Sequence, residues 1–127
     1  MAISPKQLAA VIALPGLKRF EHFVKVVADR EQVWGLYQEG WAAAGTEDEA
    51  SVFPIWPAKE YAEACALGEW SGYEPKAIDL GEFLGVFLPN FEEDGILPGV
   101  FYVPSGGGVT PSVDDLRSAL EAELSNY

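Results

Sequence analysis

The stretch VFPIWPAKEYAEACALGEWSGYEP, residues 52–75, decides how the chain is organised. Its first five residues favour a strand, and Pro57 suits the first turn of the helix that follows. Gly68 is a natural C-terminal cap for that helix, and Pro75 closes the next turn. The segment therefore predicts a strand, a helix and a turn that join the two halves of the fold.

Two helices are predicted upstream of this segment. Ser4 is placed to cap the first, with Pro5 at its first position, and Pro15 ends it. The second carries a one-sided apolar stripe, which is typical of an amphipathic helix packed on a core. The stripe consists of Leu17, Phe20, Phe23, Val24 and Val27. His22 falls on the opposite, polar side and is expected to be solvated.

The hydrophobic period then changes and indicates strands. Three are predicted, over residues 33–37, 41–44 and 51–56, and their short connections favour an antiparallel meander. Because Pro54 has no N–H to donate to a ladder, we expect it at a sheet edge or a bulge. Such an edge is blunted against pairing with another sheet.

Another broad apolar helix face is predicted downstream. Asp79, with Glu82 three residues later, has the pattern of a capping box that starts this helix. Proline lacks the amide hydrogen that an α-helix requires, so Pro89 is expected to kink or end the helix near Leu88.

The C-terminal part is predicted to contain a strand over residues 96–103 and a last helix capped by Thr110 or Ser112. Strands and helices do not alternate regularly, which favours an α+β fold over a parallel doubly wound one. The prediction is one globular domain, residues 1–127, of the α+β class. It has a mostly antiparallel sheet of four or five strands with helices packed on it, an N-terminal helical pair and a C-terminal helix.

The chain is strongly acidic, with a formal net charge of −12. Nucleic acids and anionic membranes would repel it over about a Debye length, roughly 8 Å at physiological salt, so neither partner is expected. Residues 1–30 are the exception, because five cations against two carboxylates give them +3 and leave −15 to the rest. This segment can dock on the acidic body or bind separately, and docking is the more ordinary outcome.

A cytoplasmic location is expected. The lone Cys65 excludes an internal disulfide and suits a reducing compartment. Lys6 and Gln7 interrupt the short apolar run at the N-terminus, which makes it a poor signal peptide. No window of the sequence has the ~20 apolar residues of a membrane span.

Several segments together resemble the bacterial DUF2750 family of small proteins of unknown function. They are RFEHFVKVVADREQVWGL (19–36), GWAAA (40–44), VFPIWPAKEYAEACALGEWSGYEPKAIDLGEFL (52–84) and the DG at 94–95. The resemblance covers nearly the whole chain and implies a single-domain bacterial cytoplasmic protein. It brings no catalytic residues, so any site must be inferred from residue chemistry.

An aromatic group with neighbouring carboxylates is the candidate binding site. It consists of Trp56, Glu60, Tyr61, Glu69, Trp70 and Tyr73. Trp and Tyr combine a large apolar body with a polar handle, a chemistry common at protein hot spots and ligand pockets. Packing of the rings in the core, and a solvated face for the carboxylates, are the more ordinary alternatives. On the turn, Trp70 and Tyr73 are better candidates for function than Trp56.

No catalytic residues, metal site or cofactor are predicted. Nucleophilic catalysis would need Cys65 or a serine beside a base, and His22 is the only histidine. Cys65 lies among alanines, where a buried and unreactive thiol is ordinary. The acidic loops lack the alternating ligands of a calcium site, and SGGG (105–108) lacks the lysine of a phosphate loop.

The favoured hypothesis is a non-enzymatic binding protein whose acidic, aromatic surface takes a basic protein partner. The alternative is a small-molecule site, with or without chemistry, between the 58–67 helix and the sheet. Trp56, Trp70 and Tyr73 would line it, with Glu60 or Glu69 facing inward. A monomer, or a homodimer formed through helices, is expected.

Overall fold

The computed structural model describes residues 4–45, 51–103 and 108–126, except for the side chains of Ala44, Gly45 and Glu69. The helices are α1 (Pro5–Ile12), α2 (Gly16–Arg30), α3 (Lys59–Ala64), α4 (Leu80–Glu82), α5 (Leu88–Asp94) and α6 (Val113–Leu124), with a 3-10 turn at Gly68–Trp70 and a π-helical segment at Phe83–Phe87. The strands are β1 (Gln32–Tyr37), β2 (Ala44–Gly45), β3 (Ser51–Ile55), β4 (Glu74–Asp79) and β5 (Ile96–Val100). This mixture confirms the α+β class.

Side-chain caps begin three helices where the sequence predicts them. The Oγ of Ser4 accepts from the Gln7 N–H at 3.1 Å, Oδ2 of Asp79 from the Glu82 N–H at 3.2 Å, and Oγ of Ser112 from the Asp115 N–H at 3.0 Å. Each cap satisfies one of the backbone donors that a helix leaves unpaired at its start. Of the two candidates for the last helix, Ser112 is therefore the cap.

The helix that follows Asp79 does not end near Leu88, so the prediction that Pro89 kinks or ends it is wrong in its second alternative. It continues through Pro89 to Asp94. Just before the proline, the backbone hydrogen bonds span five residues instead of four, and the Leu88 N–H donates to the carbonyl of Phe83. Proline would remove an α-helical hydrogen bond and crowd the preceding turn, so a π-helical segment at this point lets the helix continue.

The prediction of one sheet with four or five strands is also wrong. The strands form a two-stranded sheet, β1–β4, and a three-stranded sheet in the order β2–β3–β5. β1 pairs antiparallel with β4, and β2 with β3, whereas β3 and β5 are parallel. The main partner of β1 is the distant β4, which the meander does not include. Residues 33–37 and 41–44 meet only at an antiparallel bridge between Tyr37 and Trp41. The antiparallel pairing of β2 with β3 is confirmed.

Trp34 and Trp56 join the two sheets. The Trp34 N–H donates to the Trp56 carbonyl at 2.9 Å, and the Trp56 N–H donates to the Trp34 carbonyl at 2.8 Å. These two bonds extend the line of β3 by one residue and attach it to β1. The 52–75 segment thus sits at the junction of the sheets.

The sequence predicts Pro54 at a sheet edge or a bulge, but it lies in the middle strand of its sheet, in an unbroken register with β5. Backbone groups of successive strand residues face opposite sides. The Ile55 carbonyl accepts from Phe101 on the β5 side, and Trp56 bonds to Trp34 on the other side. The Pro54 nitrogen therefore faces the same side as Trp56, beyond the end of β2, which pairs only with residues 51 and 52. A proline is tolerated there because, among the described residues, its nitrogen faces no ladder partner on that side.

The core draws on α2, both sheets, the α4–α5 helix and α6. Its largest fully buried side chains include Trp56, Tyr61, Phe23, Phe83, Phe101 and Leu116. On α2, the predicted stripe is confirmed at Phe23, Val24 and Val27, which are buried. The start of the same stripe is not covered, since Leu17 is 70% exposed and Phe20 is only half-buried.

Gly35 gives a test of the packing between β1 and the aromatic side chains. A Cβ at this position would lie 2.9 Å from Cζ3 of Trp41, whose ring is held by Tyr37 and Phe53. Because a shift of the ring would disturb its contacts with Tyr37 and Phe53, we expect Gly35→Ala to lower the free energy of unfolding by about 1–3 kcal/mol in urea denaturation. Gly40→Ala is the control, because nothing lies within 4 Å of a Cβ there. Equal stabilities of the two variants would contradict this packing.

Candidate functional site

The predicted aromatic group is divided between the core and its margin. Trp56 and Tyr61 are buried, whereas Trp70 and Tyr73 are half-buried. The Trp70 ring lies edge-on to Trp56, with centroids 6.1 Å apart, and 6.0 Å from the Tyr102 ring. The first two rings of the group thus belong to the scaffold, and only the other two reach solvent.

The two predicted carboxylates are less informative. Glu60 is partly exposed in the first turn of α3. The side chain of Glu69 lies outside the described residues. Burial raises the pKa of the Tyr61 hydroxyl, while Arg30 lowers it and Glu60 raises it further. Glu60 therefore acts on the electrostatics of a buried phenol.

One backbone carbonyl holds the polar handles of Trp56 and Cys65. The Trp56 Nε1–H donates to the Tyr102 oxygen at 2.9 Å, and the Cys65 thiol donates to the same oxygen at 3.2 Å. A carbonyl has two lone pairs, so it satisfies both donors. Trp56 consequently has no free donor to offer a ligand, and its role is structural.

Cys65 is not an activated nucleophile. Burial raises the pKa of its thiol to about 11, although the hydrogen bond with Trp56 acts in the opposite direction. The reactive form of cysteine is the thiolate, which such a pKa makes rare at neutral pH. The predicted burial of Cys65 is confirmed.

His22 is only partly solvated, less than the sequence predicts. The imidazole is half-buried, with its centroid 6.1 Å from the Tyr61 ring and 6.2 Å from the Phe101 ring. Burial lowers its pKa, and the charge of Arg30 lowers it further, so the neutral imidazole is favoured. The Tyr61 hydroxyl beside it has no hydrogen-bond partner among the described residues. These two side chains pack mainly through their rings.

A groove that the sequence did not predict lies along α5. Its volume is about 360 Å³, and we call it the α5 groove. It is lined by Phe53, Glu82, Val86, Phe87, Asn90, Phe91, Asp94 and Ile96. The buried and half-buried members form an apolar base, in which Phe53 lies 5.0 Å from Phe91 and 6.0 Å from Phe87 between ring centroids. The exposed members surround it, and among them Val86 is a large apolar side chain with 50% exposure.

The charges that line the α5 groove are all negative. Glu82 and Asp94 are exposed and form no ion pair among the described residues. A smaller groove of about 270 Å³ adjoins it at Phe91 and Ile96 and contains Glu92 and Asp114. There Arg117 neutralises the charge, with its Nη1 3.2 Å from Glu92 and 3.6 Å from Asp114.

The last turn of α5 makes this surface more negative. Glu92, Glu93 and Asp94 occupy the turn, and it contains no basic residue. A helix C-terminus already carries a partial negative charge from its unpaired carbonyls, so carboxylates there repel it. The local sequence therefore places anions where they disfavour the helix.

Two further classes of site were sought in the described ranges. These ranges contain no group of three or more His, Cys, Asp and Glu side chains that could hold a metal ion. They also contain no helix that is both long and apolar enough to cross a membrane.

Comparison with known proteins gives one match. The model of the family DUF2750, described as protein of unknown function, matches residues 20–120. No curated protein and no solved structure matches the chain significantly.

The environment of Cys65 predicts slow alkylation. With a pKa of about 11 in place of the ordinary 9.0, we expect native protein at about pH 8 to react with iodoacetamide more than about a hundredfold slower than protein unfolded in guanidinium. The thiol ionises at lower pH in the unfolded chain than in the folded one. The stability that the buried neutral thiol contributes is therefore intact below pH 9 and lost as the pH rises toward 11. Similar alkylation rates in both states would contradict this environment.

His22, as the only histidine, gives a direct NMR titration. Its midpoint is expected below 6.5, and Arg30→Gln should raise the midpoint without reaching 6.5, because burial is the larger cause. The unfolded imidazole takes up its proton at higher pH than the folded one. The stability that His22 contributes is therefore present above pH 6.5 and lost as the pH falls. A native midpoint at or above 6.5 would show that the ring is solvated.

Proposed function

The chain belongs to the DUF2750 family of proteins of unknown function, and we propose that it is a non-enzymatic binding module for a basic segment of a protein partner. The segment lies in the α5 groove, with apolar side chains on the aromatic base and lysine or arginine near Glu82 and Asp94. The observation that carries the proposal is an apolar groove whose lining charges are all carboxylates without an ion pair among the described residues.

The apolar part of the groove supports binding of side chains. Its base consists of rigid phenylalanine rings in mutual contact, such as Phe53 and Phe91. Rigid aromatic surfaces lose little conformational entropy on binding, which is why such rings are frequent in hot spots. Val86 is half exposed beside them, and covering it with another apolar group would be favourable.

The charge distribution supports a basic rather than a neutral partner. The net charge of −12 attracts cations over long range and raises their association rate. At short range, a cation beside Asp94 would also offset the repulsion between the carboxylates of the last turn and the helix terminus. The complex would thus relieve the electrostatic repulsion at the C-terminal end of α5.

An amphipathic basic helix satisfies both requirements at once. Apolar residues three and four positions apart form one face that can enter a groove, while basic residues flank that face. The small-molecule site near Trp56, Trp70 and Tyr73, with or without chemistry, stays a prediction.

An amphipathic peptide of leucine and lysine, about 14 residues long, tests the proposal. In an NMR titration of the protein with this peptide, we expect the largest amide shifts around Val86, Phe91 and Asp94. The double variant Glu82→Gln with Asp94→Asn should bind about tenfold more weakly, because both local cation contacts are lost. The affinity of the native protein should fall as the salt concentration rises.

The matched control is Glu63→Gln with Glu74→Gln. These carboxylates are exposed, do not line the α5 groove, and their removal changes the net charge by the same amount. We expect this variant to bind the peptide almost as well as the native protein. An equal loss of affinity in both double variants would mean that only the total charge matters, and would overturn the groove as the site.

A further inference from the structure

We propose that the groove between α2 and α6 is a homodimer interface, in which two copies of the chain pair about a two-fold axis parallel to the groove. The groove has a volume of about 400 Å³ and is mostly apolar. Leu17, Phe20 and Val24 of α2 and Ala119 of α6 supply the apolar lining. This proposal is independent of the α5 groove and of its partner.

The amphipathic pattern of α2 indicates that this surface is covered. Leu17 and Phe20 continue the stripe that buries Phe23 and Val27 in the core, yet Leu17 is 70% exposed. Although α6 packs beside α2, the residues that the structure describes leave a groove between the two helices. An isolated exposed leucine is ordinary, but one at the end of a continuous apolar stripe and at the mouth of a groove is typical of an interface.

The charges of the two walls select a second copy as the occupant. Lys25 lies on the α2 wall and Glu123 on the α6 wall. A two-fold axis parallel to the groove sets α2 of one copy against α6 of the other, because residues contact reciprocally in such an interface. Lys25 then faces Glu123 of the partner subunit, and the same contact occurs twice.

A partner of single-sign charge would be repelled by one of the two walls, so self-complementarity is the better match. The remaining charge at the lining, Glu21, already has Lys18 as a partner at 3.9 Å.

The net charge of −12 does not prevent this pairing. The interface includes the start of α2, which belongs to the one part of the chain with a positive balance, residues 1–30 at +3. The carboxylates elsewhere repel across the dimer, but exposed charges beyond about 8 Å are largely screened at physiological salt. The dimer should therefore strengthen as salt rises from very low values, in contrast to binding of a basic peptide.

Charge reversal at the two walls gives a test that an intramolecular effect cannot imitate. By sedimentation velocity at physiological salt, we expect the native protein to form a dimer in the micromolar range. Lys25→Glu alone places a carboxylate against Glu123 of the partner subunit. Glu123→Lys alone places a lysine against Lys25 of the partner subunit. Each variant alone should therefore dimerise at least about tenfold more weakly. An equimolar mixture of the two variants restores both opposite-sign contacts, so a heterodimer should form.

Leucine variants distinguish dimerisation through this groove from non-specific hydrophobic association. Leu17→Asp should abolish the dimer, whereas Leu67→Asp should not, since Leu67 is 60% exposed but does not line the groove. Both positions are exposed, so thermal unfolding should show that each variant still folds. A native protein that stays monomeric throughout the micromolar range, or a mixture of the charge variants without heterodimer, would overturn the proposal.

Discussion

The fold depends on three hydrogen bonds that Trp56 makes to two distant parts of the chain. Its backbone exchanges two hydrogen bonds with Trp34, which joins the two-stranded sheet to β3. Its indole donates to the carbonyl of Tyr102 just beyond β5. Sheets of two or three short strands are marginal on their own in water, so each needs the other and the helices for stability. Because the indole is fully buried, these bonds form in a medium where leaving them unmade would be costly.

The features that sequence predicts well are those decided within a few residues. Ser4, Asp79 and Ser112 cap helices because each donor lies three positions away, and the α2 stripe follows from helical period alone. The pairing of β1 with β4 does not follow from the local sequence in this way. β4 has only Ile78 buried, so it lacks the alternation that marks a strand. The parallel β3–β5 pair required knowledge of where the intervening helices return the chain.

For the candidate site, too, local sequence information has to be completed by distant contacts. The concentration of aromatic residues at 52–75 was real, but composition does not tell whether a polar handle is free. Trp56 uses its N–H within the core, and Trp70 packs against it. The α5 groove was missed because Phe53 and Phe91 come from separate elements that only the parallel pairing brings together. The signal in the sequence is Val86, an apolar residue that lies outside the core-facing side of its helix.

Both grooves arise because a helix carries more apolar surface than the body covers, at Leu17 in one case and Val86 in the other. Apolar area is non-directional and does not by itself choose a partner. The charges around it provide the choice. Carboxylates alone at the α5 groove would repel a second acidic copy, whereas Lys25 and Glu123 on opposite walls suit one. One strongly acidic chain can in this way keep self-association and binding of a basic partner on separate surfaces, with opposite responses to salt.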